Sequence, residues 1–138
     1  LVGFFDDDYE AQVNQLVADG IAVFHGFQTE PRPYYAATDC VVLPSYHEGL
    51  SNVLLEAAAI GRPVITCDST GCRDTVIDGE TGYLIPIKDS EALAAKLKVL
   101  FDDAELRQKM GQRARRFAEQ KFSLEDVIQA HLEIYKKI

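Results

Sequence analysis

Apolar residues along this chain fall first into short unbroken runs and later into stripes at helical spacing, with the change at Pro86. Before it, residues 1–5, 21–24, 41–43, 64–67 and 83–85 are each rich in Val, Ile, Leu or Phe and bounded by Gly, Pro or Asp. A strand with one face in water alternates apolar and polar residues; unbroken runs suit strands covered on both faces, as in a parallel sheet. Residues 9–18, 31–37, 52–60 and 73–77 lie between the runs and predict helices. Strand and helix in repeated alternation predict an α/β fold, a Rossmann-like doubly wound parallel sheet.

After Pro86 the pattern predicts helices only. Asp89 or Ser90 caps the first, with Leu93, Leu97, Leu100 and Phe101 as its apolar stripe. Asp102 with Glu105 three residues on predicts a capping box for the second. Ser123 with Asp126 starts the third, along which Leu124, Val127, Ile128, His131, Tyr135 and Ile138 line one face. Residues 1–102 are read as the α/β domain and 103–138 as its helical extension.

Composition narrows the class. The chain has 138 residues, 47% of them apolar, which is enough for one domain with a core. No apolar run approaches the roughly 20 residues that span a bilayer. The chain opens at Leu1, inside an apolar run and without a basic leader, and is read as part of a longer protein. Three cysteines, Cys40, Cys67 and Cys72, lack metal-ligand spacing and predict a reducing, cytoplasmic setting. Cys40 is expected to pack as a small hydrophobe. The net charge of −8 arises entirely in residues 1–60, where nine acidic side chains face a single basic one, Arg32. That balance excludes nucleic acid as the main partner, because nucleic-acid binding must neutralise phosphates.

The chemistry concentrates between Pro44 and Ala57. This stretch leaves a predicted buried strand, turns at Gly49 and enters a helix at Asn52, at the carboxyl end of the sheet where ligands of such folds bind. Free amides and the helix dipole there attract anions, and Gly49 lets a ligand approach the backbone. Glu56 is out of place among Val53, Leu54, Leu55, Ala57, Ala58 and Ile60. A carboxylate held in apolar surroundings without partners costs several kcal/mol. It must therefore meet hydroxyl donors such as a ribose diol, a cation such as Arg62, or water. Glu48 projects from the loop rim, as a ligand contact or as a solvated carboxylate.

The ordered set Pro44-Ser45-Tyr46-His47-Glu48-Gly49, Glu56-Ala57, Gly61-Arg62-Pro63-Val64-Ile65, Gly71-Cys72-Arg73-Asp74 and Thr81-Gly82-Tyr83-Leu84 resembles the group 1 glycosyltransferases of the GT-B fold. So do His25-Gly26, Asp39-Cys40-Val41 and Lys109-Met110-Gly111. The resemblance implies the C-terminal, donor-binding domain of a retaining enzyme that moves sugar from a nucleotide donor, with a UDP-sugar favoured. Glu56 would bind the donor ribose and Glu48 the transferred sugar, as the catalytic carboxylate. Gly49, Leu50, Ser51, Asn52 and Val53 would offer amides to sugar and diphosphate, Phe27 would contact the base, and His47 would line the pocket. It further implies no metal or other cofactor, and a separate N-terminal acceptor domain. The Gly-Cys-Arg-Asp-Thr-Val form points toward bacterial capsule, exopolysaccharide or lipid-linked glycan assembly at the inner face of the plasma membrane. The turns at 71–74 and 79–82 are expected to be structural, with Gly82 at positive φ.

Against these stand several blander features. The family's diphosphate-neutralising Arg and Lys have no counterpart here, so the chain alone is expected to bind donor weakly and transfer no sugar. Asp6-Asp7-Asp8 is read as a solvated loop rather than a metal site. His25 is read as a rim or structural residue and His131 as structural. Arg107, Lys109, Arg113, Arg115, Arg116 and Lys121 form either a solvated helix face or a surface for anionic lipid. A nonhydrolysing sugar-nucleotide epimerase and a noncatalytic nucleotide-binding module remain as rival readings.

Overall fold

The computed structural model describes residues 1–5 and 9–137. The acidic run 6–8 and the last stripe position, Ile138, lie outside the described residues. The chain divides into two compact units, Leu1–Pro31 and Arg32–Ile138.

In the first unit, helix α1 (Glu10–Ala18) ends at Gly20, whose φ of +72° lets the chain reverse. The runs 1–5 and 21–24 do not form the strands predicted for them. They lie side by side as extended segments, with the Leu1 nitrogen donating to Val23 O (2.7 Å), His25 N to Leu1 O (2.9 Å) and Gly3 N to Gly26 O (3.0 Å). Gly3 at φ +140° leaves the strand region after two residues, which interrupts any regular ladder. Phe5 stacks on Phe24 at 4.6 Å between ring centres.

The second unit holds α2 (Arg32–Ala37), β1 (Val41–Leu43), α3 (Asn52–Ala59), β2 (Val64–Cys67) and β3 (Gly82–Ile85), then α4 (Ser90–Asp102), α5 (Ala104–Lys121) and α6 (Leu124–Tyr135). The sheet is parallel in the order β1-β2-β3, with Val41 opposite Val64 and Val64 opposite Gly82. Both faces are covered, which explains the unbroken apolar runs. On one face Val64 packs with Leu54, Ala57, Cys72 and Val76. On the other, Ile65, Cys67 and Ile85 pack with Leu100 and Met110. Cys40 joins this second cluster half-buried, as a small hydrophobe, and burial pushes its thiol pKa up.

Several local readings are corrected. Residues 73–77 form only a short 3-10 helix, Arg73–Thr75, because Val76 returns to extended geometry. The second C-terminal helix is capped by Asp103, which accepts from Leu106 N at 2.8 Å, while Asp102 pairs with Lys98 at 2.7 Å. Leu93 and Leu100 face the core, but Phe101, a further 100° round the helix, is 83% exposed. Helix α6 forms as predicted, yet none of its described residues is buried, so its apolar stripe covers no core here. Gly82 has no positive φ; a Cβ there would come 2.3 Å from Val64 O, so close strand packing is what selects glycine.

Beyond the amino ends of the strands, α3 and α5 meet through small residues, Ala58 against Ala114 and Ala118. A Cβ on Gly111 would lie 2.0 Å from Gly61 O. Replacing a helical glycine by alanine usually stabilises by about 1 kcal/mol. Here the clash is with backbone, so Gly111→Ala is expected to lower stability by about 1–3 kcal/mol. Urea unfolding measures it, and an unchanged or raised midpoint would refute the contact.

Candidate functional site

Two cavities of similar size, each about 340 Å³, lie at opposite ends of the sheet. The one at the amino ends is lined by Arg62, Arg107 and Arg115, and their charges are already engaged. Arg62 donates to Ala36 O, Arg107 to Leu100 O and Phe101 O, and Arg115 pairs with Glu119 at 2.8 Å. The first two cations thus satisfy carbonyls at helix C-termini, where cations are favourable. The other cavity lies at the carboxyl ends, lined by Pro44, Tyr46, Cys67, Ile85 and Lys88. That end is where open α/β sheets bind ligands, and the loop from β1 to α3 emerges there.

The loop is tied to the end of β2 and the turn that follows it at successive points. Thr66 Oγ1 donates to Leu43 O at 2.7 Å, Ser69 Oγ to Ser45 O at 3.0 Å, and Glu48 N to Thr70 O at 3.1 Å. Thr66 and Ser69 are buried, so their bonds are shielded from water. Gly71, at φ +79°, lies under the backbone of Glu48 and Gly49; a Cβ there would come 2.2 Å from Glu48 O. The turn at 71–74 is therefore structural, and it also buttresses the motif, which the spacing of residues did not reveal. A Ser-Thr-Gly turn shortly after a strand was its available signal.

Gly49 differs from Gly71. Its φ is not positive, and no atom lies within 4 Å of where its Cβ would stand. Nothing in the fold itself requires glycine there, which leaves open space above the backbone. Ser51 caps α3 with its backbone and is buried, without a side-chain cap bond. Asn52 and Val53 follow, and the first amides of α3 lack intrahelical acceptors, as in any helix. His47 and Leu50 are exposed, and Glu48 is half-buried.

Glu56 is exposed, so of the alternatives left open for it the carboxylate does face water. Its neighbours Leu54, Ala57 and Ala58 turn to the core, and the helical rotation of 100° per residue sends Glu56 outward. Its partner is not Arg62. On α2, the Tyr35 pKa is pushed up to about 12, first by burial and then by the nearby Glu56 carboxylate. Sequence reading missed Tyr35, since only folding brings α2 beside α3.

Glu48, Gly49, Leu50, Ser51, Asn52, Val53, His47 and Glu56 thus share one loop and helix. Phe27 belongs to the first unit, where it is 66% exposed and its ring lies 6.1 Å from that of Phe4. Arg73 is held by Asp68 at 2.9 Å, so that cation is already committed. Among the described residues no group of three His, Cys, Asp or Glu side chains is placed to hold a metal, and no helix is long and apolar enough to cross a membrane.

Known proteins match this arrangement. A family model described as glycosyl transferases group 1 matches residues 1–103. The capsular polysaccharide biosynthesis glycosyltransferase CapM of Staphylococcus aureus is 40% identical over 95 residues, 69% of this chain and 25% of that protein. The lipopolysaccharide core biosynthesis glycosyltransferase LpsE of Rhizobium meliloti is 34% identical over 128 residues, 93% of this chain and 38% of that protein. The crystal structure of Anabaena Alr3699/HepE in complex with UDP superposes with a TM-score of 0.90 at 26% identity, covering all of this chain and 40% of that one. The chain therefore spans well under half the length of these relatives.

Two predictions follow from the packing. Gly71→Ala is expected to cost about 1–3 kcal/mol, through both clash and φ. Gly49→Ala should stay within about 0.5 kcal/mol of the parent. Thermal unfolding of the pair compares them, and equal losses would show that Gly49 also serves the fold. For Tyr35, the native phenol keeps its proton above the ordinary tyrosine value of 10.0, so it favours the folded state fully below pH 10. That contribution is lost as pH rises through about 12. In an alkaline ultraviolet titration of single-tyrosine differences, Glu56→Gln should lower the Tyr35 midpoint without returning it to 10.0, because burial remains. An unmoved midpoint would rule out the influence of that carboxylate.

Proposed function

The chain belongs to the glycosyl transferases group 1 family, and on that footing we propose that it is the donor-binding part of an enzyme that transfers a sugar from a UDP-sugar. The observation that bears most on this reading is the loop from Pro44 to Ser51. It is pinned by Thr70 and Gly71 from below, open above Gly49, and continuous with the helix that presents Glu56. In this reading the ribose diol donates to Glu56. Glu48 accepts from hydroxyls of the transferred sugar, and the diphosphate meets the amides from Gly49 to Val53. The α3 dipole adds positive potential there, and no acidic residue in its first turn opposes it.

A departing nucleoside diphosphate is an anion, and donors aimed at its developing charge lower the barrier. Residues 1–60 hold one cation, Arg32, against nine acidic groups, so amides rather than side-chain charge supply that field from this segment. The reading includes retention of anomeric configuration, as the motif resemblance implies, and an acceptor in a polysaccharide or lipid-linked glycan, by analogy with CapM and LpsE. On α5, Arg113 and Arg116 are exposed and offer charge toward an anionic lipid surface.

Calorimetric titration with UDP and UDP-glucose tests the assignment. Glu56→Ala should weaken both ligands by about tenfold, the loss of one charge-assisted hydrogen bond. Glu48→Ala should weaken UDP-glucose more than UDP. Wild-type affinity for both ligands in Glu56→Ala would remove Glu56 from the ribose site.

A further inference from the structure

We propose that the cavity at the carboxyl ends of the strands is a second ligand site, separate from the one read for the donor, and that it takes a phosphate ester whose organic part is apolar. Lys88 is its cation, and Tyr46 is the wall it shares with the loop. The inference goes beyond the donor reading and does not depend on it.

The cavity and α3 stand on opposite faces of the sheet. Cys67 and Ile85, which line the cavity, belong to the layer that packs with Leu100 and Met110, and Leu93 of α4 lines it from that same layer. Leu54 and Ala57 hold α3, with Glu56 and the first-turn amides, against Val64 on the other face. The loop passes between the two, so Tyr46 borders the cavity two residues before Glu48. A ligand in the cavity would therefore lie beside the loop while leaving α3 free.

The lining is mostly carbon, from Pro44, Ile85, Leu93 and the ring of Tyr46. Lys88 stands at the rim, exposed, with its Nζ 5.7 Å from the centre of the Tyr46 ring. Its backbone is unusual: at φ +62° it is the one residue other than glycine with positive φ among the described residues. A Cβ crowds the backbone in that conformation, so the turn by itself favours glycine. What the side chain does then explains the lysine. It serves no internal ion pair of the kind that commits Arg73, Lys98, Lys109 and Arg115. Asp89, the one carboxylate of the lining, is turned to Ala92 N at 2.8 Å as the cap of α4. A cation over carbon surface matches an anion joined to an apolar group better than either part alone. The volume of about 340 Å³ lies within the range of small-ligand sites, roughly 300–1,000 Å³.

The test titrates the chain with butyl and hexyl phosphate, followed by amide NMR shifts, with inorganic phosphate and hexanol as probes that each lack one part. Hexyl phosphate should bind more tightly than either partial probe. Each methylene between butyl and hexyl should raise affinity about fourfold, the effect of burying one CH₂. Lys88→Gly, which relaxes the turn, should unfold no lower than the parent. It should bind hexyl phosphate about fivefold more weakly, the loss of one exposed ion pair, with hexanol unaffected. Lys88→Arg should keep the affinity. The shifts should centre on Tyr46, Ile85 and Leu93, and added UDP should not displace the ligand. Equal affinity in the parent and Lys88→Gly, or shifts centred on the exposed stripe of α6, would overturn the site. Displacement by UDP would make the cavity part of the donor's own site, which refutes the proposal and leaves the donor reading standing.

Discussion

Everything at the ligand end of this protein depends on β2 being buried on both faces. Val64 and Ile65 point to opposite layers, and each is at most 1% exposed. Burying such a side chain is worth about 1.5–3 kcal/mol, so the strand has no freedom to shift register. A one-residue slip would exchange the two layers and leave Thr66 facing the wrong neighbour. With β2 immobile, Thr66, Ser69, Thr70 and Gly71 become fixed points. The loop carrying Glu48 and Gly49 is hung on them.

That loop combines two uses of glycine with opposite physical causes. Gly71 is glycine because the protein's own backbone occupies the space above it and its φ is positive. Gly49 meets no such demand, since the space beside it is empty. A tightly packed glycine below and an unencumbered one above give a surface that is rigid yet approachable. Such a surface suits a ligand whose anionic groups must come close to backbone amides. The small-residue contact of Gly61 with Gly111 does comparable work at the other end of the sheet, drawing α5 onto α3 and closing that end with arginine-capped helix termini.

The acidic balance of the first 60 residues and the amide-rich entrance to α3 bear on each other. Side-chain cations elsewhere in the chain are largely committed: Arg73 to Asp68, Arg107 to the end of α4 and to Asp39, Arg115 to Glu119. At the loop, Lys88 stands over the Tyr46 ring at 5.7 Å, so the positive potential there combines that cation with the dipole of α3. Dipoles of this kind are fixed by the fold and lose nothing to side-chain reorganisation when an anion arrives.

Much of this was legible in the residues alone. Three of the five predicted strands, the helices of the second half, and the loop-to-helix motif depend on local runs, caps and spacing, which sequence records directly. The runs at 1–5 and 21–24 have equally apolar compositions, but a strand also needs an unbroken ladder, and Gly3 at φ +140° denies it. For Glu56 the residues required a donor, a cation or water and could not choose among them, because linear neighbours on a helix point in different directions. Tyr35, 21 positions earlier in the chain, comes within reach of its charge only once the chain has folded. Sequence determined which chemical groups stand on the motif, since identity and spacing are local properties. Tertiary structure decided which of them are held, by Thr70 and Gly71 from beneath, because contact between distant segments exists only once the core has closed.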